Sequence, residues 1–381
     1  MNRLVLFAFS AVLHGYIALR LIPSLSAWPS AARALASLVI VSALLIPVGL
    51  MLRRRRARHD AALQWASLIA TGLFSSLLGL TVLRDMLLLV MHAIMLVWPE
   101  RFALATLNTV TAALVPAAAS MATLIGLWNA RRTAAVVAVD IPIDGLPADL
   151  HGFTIAQISD IHVGTTIRGA YVRNIVDAVN RLDADMVAVT GDLVDGSVAE
   201  LGEHVASLQM LSSRHGTFFV TGNHEYYSGA HAWIRELRRL GVCVLLNEHV
   251  VLAHGESSVV VAGVTDTGAH HFDPAHRSSP QRAIAGAPDG ASVRVLLAHQ
   301  PRSAAAAADA GFQLQLSGHT HGGQFWPWTY FVRLQQPFTA GLARLAGMWI
   351  YTSRGTGYWG PPKRFGAPSE ITRLRLVPGS G

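Results

Sequence analysis

The sequence has almost no cysteine or lysine and few charges of either sign. Its 381 residues contain one cysteine, Cys243, and one lysine, Lys363, and only 14% of them are charged. A single cysteine excludes an intrachain disulfide and a metal site built on several thiolates. A hydrophobic fraction of 52% excludes a disordered chain and argues against an ordinary soluble protein. Cys243 lies in Gly-Val-Cys-Val-Leu-Leu, which is typical of a buried strand, so we interpret it as a structural thiol.

The charge is distributed unevenly along the chain. Residues 1–138 carry twelve arginines and three acidic residues, a net charge of +9, whereas the rest of the chain carries −2. The overall net charge of +7 therefore belongs to the N-terminal third. It does not indicate a basic surface for nucleic acid, and we expect no nucleic-acid partner.

Four apolar segments occupy this N-terminal third, at residues 4–22, 34–52, 61–83 and 103–129. Each is long enough for a helix that crosses the hydrocarbon core of a bilayer, which takes about 20 residues. We therefore predict a helical membrane region of about four spans in residues 1–132, surrounded by membrane lipids, and a second domain in residues 133–381. A cleaved signal peptide is the alternative for the first segment, and the three further segments argue against it.

The arginines predict the orientation in the membrane. Clusters at residues 53–58 and 131–132 are both expected in the cytoplasm, so two crossings lie between them. Residues 61–98 as one helix and 103–129 as another satisfy this, and they place the C-terminal domain on the cytoplasmic face of a bacterial-type inner or plasma membrane. Residues 61–98 are too long for one straight span, however. A fold-back near Arg84-Asp85 would place that domain outside; without one, this pair marks the membrane interface.

After residue 132 the pattern alternates between β-rich and amphipathic segments. Strands are predicted at 153–159, 186–189, 217–220, 242–246, 250–253, 259–264, 293–298, 312–316, 349–353 and 371–377, and helices at 169–182, 198–211, 230–240 and 303–308. Helices alternate with strands early and strands dominate later. This order predicts an α/β fold, a layered sandwich with a mixed sheet.

Side chains of the kinds that bind metals follow five of these strands. They are Asp160 and His162, Asp192, Asn223 and His224, His299, and His319 and His321. Because ligands gather outside the carboxyl ends of strands in open α/β sheets, we expect these side chains to converge. Residues i and i+2 of an extended chain point the same way, so each Asp-x-His or His-x-His pair would face one centre.

The residues around these side chains suit a metal centre. Gly191, Gly222 and Gly318 are expected to permit tight turns directly after the strands. Oxygen and imidazole ligands without sulfur are typical of Mn²⁺, Fe or Zn²⁺. A carboxylate has two oxygens, so Asp192 could bridge two cations.

Five motifs, Asp-x-His, Gly-Asp, Gly-Asn-His-Glu, His and Gly-His-Thr-His, resemble in this order those of the calcineurin-like metallophosphoesterase superfamily over residues 150–377. The resemblance implies an α/β/β/α sandwich, two divalent cations, and attack by a metal-bound hydroxide on a phosphoester substrate. It implies the following set: one metal on Asp160, His162 and His321, a second on Asn223, His299 and His319, Asp192 bridging both, and His224 beside the leaving group as a general acid or charge stabiliser.

The substrate is predicted less directly. The tail from Ser353 to Ile371 is similar to a membrane-associated branch of this superfamily, which includes UDP-diacylglucosamine pyrophosphatases and enzymes known only as phosphodiesterases. The similarity supports the branch and does not identify a substrate. We predict hydrolysis of a phosphodiester or pyrophosphate bond of a lipid-linked substrate, because the four spans place the site near the membrane, where such a substrate partitions. Two alternatives stay open: a soluble nucleotide or protein phosphate as substrate, and a non-catalytic membrane sensor. The oligomeric state is not predicted.

The aromatic-rich loop 325–331 follows the last ligand motif. It is interpreted either as a loop that enters the membrane interface or grips an acyl chain, or as a buried apolar loop. Lys363, with Arg354 and Arg364, is interpreted either as a contact for a substrate phosphate or as a solvated loop charge.

A further polar segment contains Asp266, His270 and His271. It could line the cleft beside the metal ligands, but we favour a surface loop because loops of this composition lie mostly at the surface.

Overall fold

The computed structural model describes residues 3–55, 61–98 and 104–379. The chain divides into two compact units, each described by itself below. The helical unit is formed by Met1–Asn129 together with Gly360–Phe365, and the sheet unit by Ala130–Trp359 together with Gly366–Gly381. The helical unit therefore includes a short segment, Gly360–Phe365, from near the end of the chain.

The helical unit contains four long helices. They are α1 (Arg3–Leu21), α2 (Pro29–Arg55), α3 (Ala61–Val97) and α4 (Leu104–Arg131). All four are long and apolar enough to cross a membrane. Residues 61–97 form one continuous helix without a fold-back at Arg84-Asp85. Within the basic cluster 53–58, residues 56–58 lie outside the described residues.

Packing in the helical unit fixes the directions of α2, α3 and α4. A Cβ atom on Gly49 of α2 would meet Ser67 of α3, so the end of α2 lies beside the beginning of α3. Lys363 contacts both Gly72, early in α3, and Thr123, late in α4. The end of α2, the beginning of α3 and the end of α4 therefore share one end of the unit.

Arg84 and Asp85 do more than mark an interface. The Arg84 side chain is buried and donates to Thr111 Oγ1 at 3.1 Å and to the carbonyl oxygens of Arg20 and Asn108 at 3.2 and 3.1 Å. Asp85 accepts from Arg20 at 2.8 Å. Arg84 thus connects α1, α3 and α4 through acceptors that the protein supplies.

The sheet unit contains twelve strands and seven helices among the described residues. The strands are β1 (Ala135–Ile143), β2 (Thr154–Ile158), β3 (Met186–Val189), β4 (Thr217–Phe219), β5 (Cys243–Val244), β6 (Glu248–His254), β7 (Ser257–Gly263), β8 (Val293–Leu297), β9 (Leu314–Ser317), β10 (Gly341–Leu345), β11 (Met348–Thr352) and β12 (Glu370–Pro378). The helices are α5 (Gly169–Asn180), α6 (Val198–Val205), α7 (Asn223–Ser228), α8 (Ala230–Arg239), α9 (Pro280–Ile284), α10 (Ala304–Asp309) and α11 (Trp328–Phe331).

The strands form two six-stranded mixed sheets that pack face to face. The first has the order β1-β12-β2-β3-β4-β5 and the second β10-β11-β9-β8-β7-β6. One apolar core fills the space between the sheets, with residues such as Ile155 and Met186 facing Val295 and Leu316. Because both faces of the central strands are covered, β2, β3 and β4 are buried along their whole length.

Helices cover the two outer faces of the sheets. Apolar residues of α5, α6 and α8, among them Val172, Leu201 and Trp233, pack on the first sheet. Ala283 and Ala307, of α9 and α10, pack on the second. The order of layers is therefore helix, sheet, sheet, helix, and the predicted α/β/β/α sandwich is confirmed.

Some elements differ from the sequence prediction. The helix predicted at 198–211 ends at Val205 and continues as a 3-10 turn, Ala206–Met210. The strand β10 and the short helix α7 had no periodic pattern long enough to predict them. Cys243 lies half-buried in β5, and burial raises the pKa of its thiol, which agrees with a structural role.

Candidate metal centre

The structure brings the predicted ligands to the carboxyl ends of strands in both sheets. Asp160 and Asp192 follow the neighbouring parallel strands β2 and β3, and Asn223 begins α7 after β4. His299 and His319 follow the parallel strands β8 and β9 of the second sheet. The two sheets thus present their ligand-bearing ends to one site.

The first ligand cluster consists of Asp160, His162 and His321, all buried. His162 Nε2 lies 3.1 Å from His321 Nε2, and that atom lies 3.4 Å from Asp160 Oδ1. Three donor atoms so close together can surround one cation. This is the set that the family resemblance implies for one metal.

The second cluster consists of Asp192, His299 and His319. His299 Nε2 lies 3.1 Å from Asp192 Oδ2 and 3.2 Å from His319 Nδ1. The same Asp192 oxygen lies 3.9 Å from His162 Nε2 of the first cluster. Asp192 therefore lies between the two clusters, as a bridging ligand must.

Asn223 provides a test of whether cations fit this site. Within the described part of the chain its buried Oδ1 accepts no hydrogen bond, and an unsatisfied buried acceptor costs about 1–3 kcal/mol. Asn223 lines the same cleft as His319. A cation held with His299 and His319 would satisfy this oxygen, so the residues fit two divalent ions of the Mn²⁺, Fe or Zn²⁺ type.

The backbone at the ligands is not extended, and in this respect the sequence argument was wrong. Five of the predicted ligands have a positive φ: Asp160 at 53°, His162 at 55°, Asp192 at 52°, His319 at 70° and His321 at 52°. The left-handed conformation costs about 1–3 kcal/mol for residues other than glycine and persists where the surroundings enforce it. After β2, β3 and β9 the side chains converge because the strand leads into such a turn, not because residues i and i+2 alternate; Asn223 and His299 follow β4 and β8 without a positive φ.

Two of the three glycines have a different role from the one expected. Gly191 has a φ of 87°, so it does permit a turn. Gly222 and Gly318 lack a positive φ, but a Cβ atom on Gly222 would lie 2.2 Å from Asp192 Oδ1, and one on Gly318 would lie 2.2 Å from Asp160 Oδ2. These two positions exclude side chains because the metal-site carboxylates occupy the space.

Asp195 was not found by sequence reasoning, although it follows Asp192 by three residues. Its Oδ1 accepts from the Nδ1–H groups of His162 at 3.0 Å and His224 at 2.6 Å. Burial raises the pKa of Asp195, but its interactions with the two histidines outweigh burial and hold the pKa well below its usual range. Asp195 fixes the tautomer of both rings and leaves each Nε2 available.

His224 lies beside the clusters. Burial lowers its pKa, but the hydrogen bond to Asp195 and the charges of Asp192 and Asp195 raise it above the usual value overall. Glu225, the next residue, is fully buried. Its carboxylate accepts from the backbone N–H groups of Asp192 at 3.0 Å and Gly222 at 2.7 Å. Glu225 thus ties together the turns that carry Asp192 and Asn223.

Comparison with known proteins decides the family. A model of the calcineurin-like phosphoesterase family matches residues 153–323. A Bos taurus protein named "Transmembrane protein with metallophosphoesterase domain" is 40% identical over 300 residues, which cover 74% of this chain and 67% of that protein. The chain belongs to the calcineurin-like phosphoesterase family.

Two further relatives agree with this assignment. A Danio rerio protein of the same name is 37% identical over 66% of this chain and 59% of its own length. An uncharacterized metallophosphoesterase of Helicobacter pylori (strain J99) is 39% identical over 59% of this chain and 60% of its own length. The chain thus spans about 60% of the length of these two relatives. With relatives named transmembrane proteins and four apolar helices, this phosphoesterase-family chain is an integral membrane protein.

A cleft of about 430 Å³ opens beside the second cluster of this phosphoesterase-family site. Its walls include Asn223, Tyr226, Tyr227, Asp266, His270, His271, Phe272, Gln300, Arg302 and His319. The surface-loop interpretation was therefore wrong for Asp266, which is buried, whereas His271 is exposed and His270 is half-buried, and all three line the cleft. Asp266 is buried and accepts from Gln300 Nε2 at 2.8 Å.

Aromatic side chains flank His224. Tyr227 and Trp359 place their rings edge-on to it, with centroids at 5.3 and 5.7 Å, and both are about half exposed or more. The helix α11 carries three more exposed aromatic residues, Trp328, Tyr330 and Phe331. The buried-loop interpretation of 325–331 holds only for Phe325.

Lys363 has neither of the roles considered from the sequence. It belongs to the helical unit and is 1% exposed. Its Nζ donates to Gly72 O at 2.9 Å, Ser76 Oγ at 2.6 Å and Thr123 Oγ1 at 2.9 Å. A charge held in this way is neither solvated nor free to bind a substrate.

The two arginines considered with Lys363 are also held within the protein, one by burial and the other by an ion pair. Arg364 is fully buried in the helical unit. Arg354 pairs with Glu370 at 2.8 Å in the sheet unit.

Proposed function

We propose that the chain is a membrane-anchored phosphoesterase that uses two divalent cations to hydrolyse a phosphodiester or pyrophosphate bond. The observation that carries the proposal is the pair of ligand clusters joined by Asp192, whose Oδ2 lies 3.1 Å from His299 and 3.9 Å from His162. The proposed ligands are Asp160, His162 and His321 for one cation, Asn223, His299 and His319 for the other, and Asp192 for both.

The protein side chains around the centre suit this chemistry. When bound, two divalent cations supply an acidified water and offset the charge of phosphoryl oxygens. Asp195 accepts a hydrogen bond from the Nδ1–H of His224, which leaves His224 Nε2 as the atom that can give a proton to the leaving oxygen. The His224 side chain is 14% exposed, so a substrate can reach it.

A lipid-linked substrate is the finer part of the proposal. The membrane helices restrict the enzyme to a bilayer, where such a substrate is concentrated. Trp328, Tyr330 and Phe331 of α11 are 48%, 64% and 51% exposed, only a few residues after His321. Exposed aromatic residues favour the interface between a membrane and water, which supports contact with a lipid.

We also propose that the sheet unit lies in the cytoplasm. Because α3 is one helix, the chain has four candidate spans, and the ends of α2 and α4 share one end of the helical unit. Both ends carry arginines, which favour the cytoplasmic side. A C-terminal tag should then resist protease in intact cells and be digested once the membrane is opened; digestion in intact cells would contradict this orientation.

The activity is tested with the full chain in detergent micelles. An aryl phosphodiester, an aryl phosphomonoester and a nucleotide diphosphate linked to an acylated sugar are each assayed with Mn²⁺ and with a chelator. We expect metal-dependent turnover of the diester and the lipid substrate. Asp192→Asn should abolish it, and the exposed control Asp289→Asn should not. A metal-loaded, folded chain without turnover of any substrate would contradict the proposal and favour a sensor.

A soluble nucleotide is the second candidate substrate. The cleft favours it in one respect, since Tyr227 and Phe272 could stack on a base while Arg302 contacts a phosphate. Turnover of a nucleotide ester that equals that of the lipid substrate and is unaffected by added vesicles would support this candidate.

A further inference from the structure

We propose a third cation site, formed by His231, Asp273 and His276, that takes Zn²⁺ and is separate from the dinuclear centre. Asp273 Oδ2 lies 3.1 Å from His231 Nε2 and 3.9 Å from His276 Nε2. One ligand atom from each residue lies within 4.8 Å of the other two. The proposal concerns metal binding alone and does not rest on the proposed activity.

The spacing resembles that within one cluster of the dinuclear centre. In the first cluster, His321 Nε2 lies 3.1 Å from His162 Nε2 and 3.4 Å from Asp160 Oδ1. At the third site the shorter distance is the same, 3.1 Å, and the other, 3.9 Å, is longer. Two ligands of a tetrahedral zinc ion, each about 2.0–2.1 Å from the metal, are separated by a little over 3 Å. Small side-chain rotations would therefore bring the three ligand atoms to the separations needed around one zinc ion.

Neighbouring groups orient two of the three ligands toward a cation. His276 Nδ1 lies 2.8 Å from Tyr226 Oη, which in turn lies 3.4 Å from Thr221 Oγ1. If Nδ1–H donates to Tyr226 and Tyr226 donates to Thr221, the lone pair of His276 Nε2 faces Asp273 and His231. A metal-binding histidine usually donates its second ring N–H to a neighbouring acceptor, and the Tyr226 hydroxyl would be that acceptor here.

Asp273 is fixed in the same way. Its Oδ1 accepts from the backbone N–H of Ala275 at 2.9 Å, so Oδ2 is left for the histidines. His231 lies on the solvent side of α8, where Trp233 and Ile234 form the buried side, and its side chain is 63% exposed. A cation can therefore enter from solvent.

The chemistry of the ligands selects the cation. Two imidazoles and one carboxylate without a thiolate suit Zn²⁺, with water completing the sphere, and they are unsuited to Mg²⁺ or Ca²⁺, which prefer oxygen. The two histidines come from different segments, α8 and the 3-10 turn Pro274–His276. A bound ion would therefore cross-link these segments.

The cross-link would stabilise one wall of the cleft. His270, His271 and Phe272 line the cleft and immediately precede Asp273. Tyr226 also lines the cleft and contacts His276. We therefore expect Zn²⁺ at this site to order residues 266–279.

The stoichiometry of zinc tests the proposal. The full chain in detergent is stripped with a chelator and titrated with Zn²⁺, and bound zinc is counted by mass spectrometry. We expect three bound ions in the wild type and two in His231→Ala and in His276→Ala. In each variant the affinity for the third ion should be at least about tenfold weaker than in the wild type. His151→Ala, an exposed histidine outside the clusters, should retain three.

The controls separate this site from the dinuclear centre. Asp192→Asn should lose zinc at the centre but retain the ion whose binding depends on His231. Because His231 is exposed, its substitution leaves the fold intact even if His276→Ala does not. Equal zinc content in the wild type and His231→Ala would overturn the proposal.

Hydrogen exchange provides a second readout. Zn²⁺ should slow amide exchange in residues 266–279 of the wild type by several-fold, and it should not do so in His231→Ala. Equal slowing in both proteins would overturn the proposed cross-link of the cleft wall.

Discussion

The two units satisfy some of their buried polar groups in different ways. In the helical unit, the Lys363 ammonium group donates to three oxygens of α3 and α4, and the Arg84 guanidinium donates to a hydroxyl and two backbone carbonyls. In the sheet unit, imidazole nitrogens of the proposed centre lie 3.1 Å apart, and Asn223 Oδ1 has no donor within the described residues.

The difference separates structural polar groups from those proposed to bind metal. A buried charge is tolerated when hydrogen bonds replace its hydration, and the helical unit provides those bonds itself. The proposed ligands of the sheet unit would be completed by cations. Substitution of these buried groups should therefore affect stability in the helical unit, and metal binding with turnover in the sheet unit.

The largest effect is expected from Gly318→Ala. Its Cβ atom would lie 2.0 Å from Ser159 Oγ and 2.2 Å from Asp160 Oδ2, so the Asp160 carboxylate must move. Displacement of about 1 Å at a reacting centre costs about 100-fold in rate. We expect at least that loss of metal-dependent turnover, together with weaker metal binding. The control is Gly290→Ala, where a Cβ atom meets nothing within 4 Å; equal activity in the two variants would contradict the steric argument.

Asp195→Asn tests the hydrogen bonds that orient two histidines in the sheet unit. The substitution removes the charge that holds the Nδ1–H groups of His162 and His224. Loss of such a supporting contact lowers metal affinity or activity by about 10- to 100-fold. We expect a decrease in kcat in that range and a changed pH–rate profile. Asp309→Asn, at an exposed position, should leave both unchanged, and a wild-type profile in Asp195→Asn would refute the positioning role.

Lys363→Met tests the helical unit. The substitution removes three hydrogen bonds donated by a charged group, and hydrogen bonds of this kind are each worth about 1.5–3 kcal/mol. The three acceptor oxygens also lose the Lys363 donor. We expect the free energy of unfolding in detergent to fall by at least about 2 kcal/mol, while the number of bound metal ions is unchanged. Arg333→Met removes an exposed positive charge and should have no such effect. If Lys363→Met lost metal binding but kept the stability of the wild type, Lys363 would serve the metal centre and not the stability of the helical unit.

The smallest effect is expected from Cys243→Ala. The thiol is half-buried at the sheet edge strand β5 and belongs to neither ligand cluster. We expect turnover within about twofold of the wild type and a loss of about 1 kcal/mol of stability, the usual size for a partly buried position. A large loss of activity would show that the thiol takes part in the chemistry.

The layers, and the positions of the proposed ligands after strands, could be predicted from the sequence because both depend on local patterns. Buried strands give apolar runs, and Asp160, Asp192 and His299 each come soon after the end of one. Their backbone conformation could not be predicted in this way, because Asp160, whose φ is positive, is held by backbone groups distant in the chain. Its N–H donates to Gly191 O at 3.0 Å, and its carbonyl accepts from the N–H of Gly357 at 3.1 Å.

Residues missed from the sequence act through partners that lie far away along the chain. Lys363 is 240 residues from Thr123, and no local pattern joins them. His276 is 45 residues from His231, on a turn without periodicity. Asp195 is the exception, because its position three residues after Asp192 was a visible signal for a second carboxylate near the site.

The buried position of the only lysine gives the molecule an unusual chemical property. Reagents that acylate primary amines have one side-chain target, and it is 1% exposed. The folded chain should therefore resist such reagents apart from any reaction at its terminal amine. Acylation of Lys363 would then report that the helices around it have separated, without any label having to be introduced.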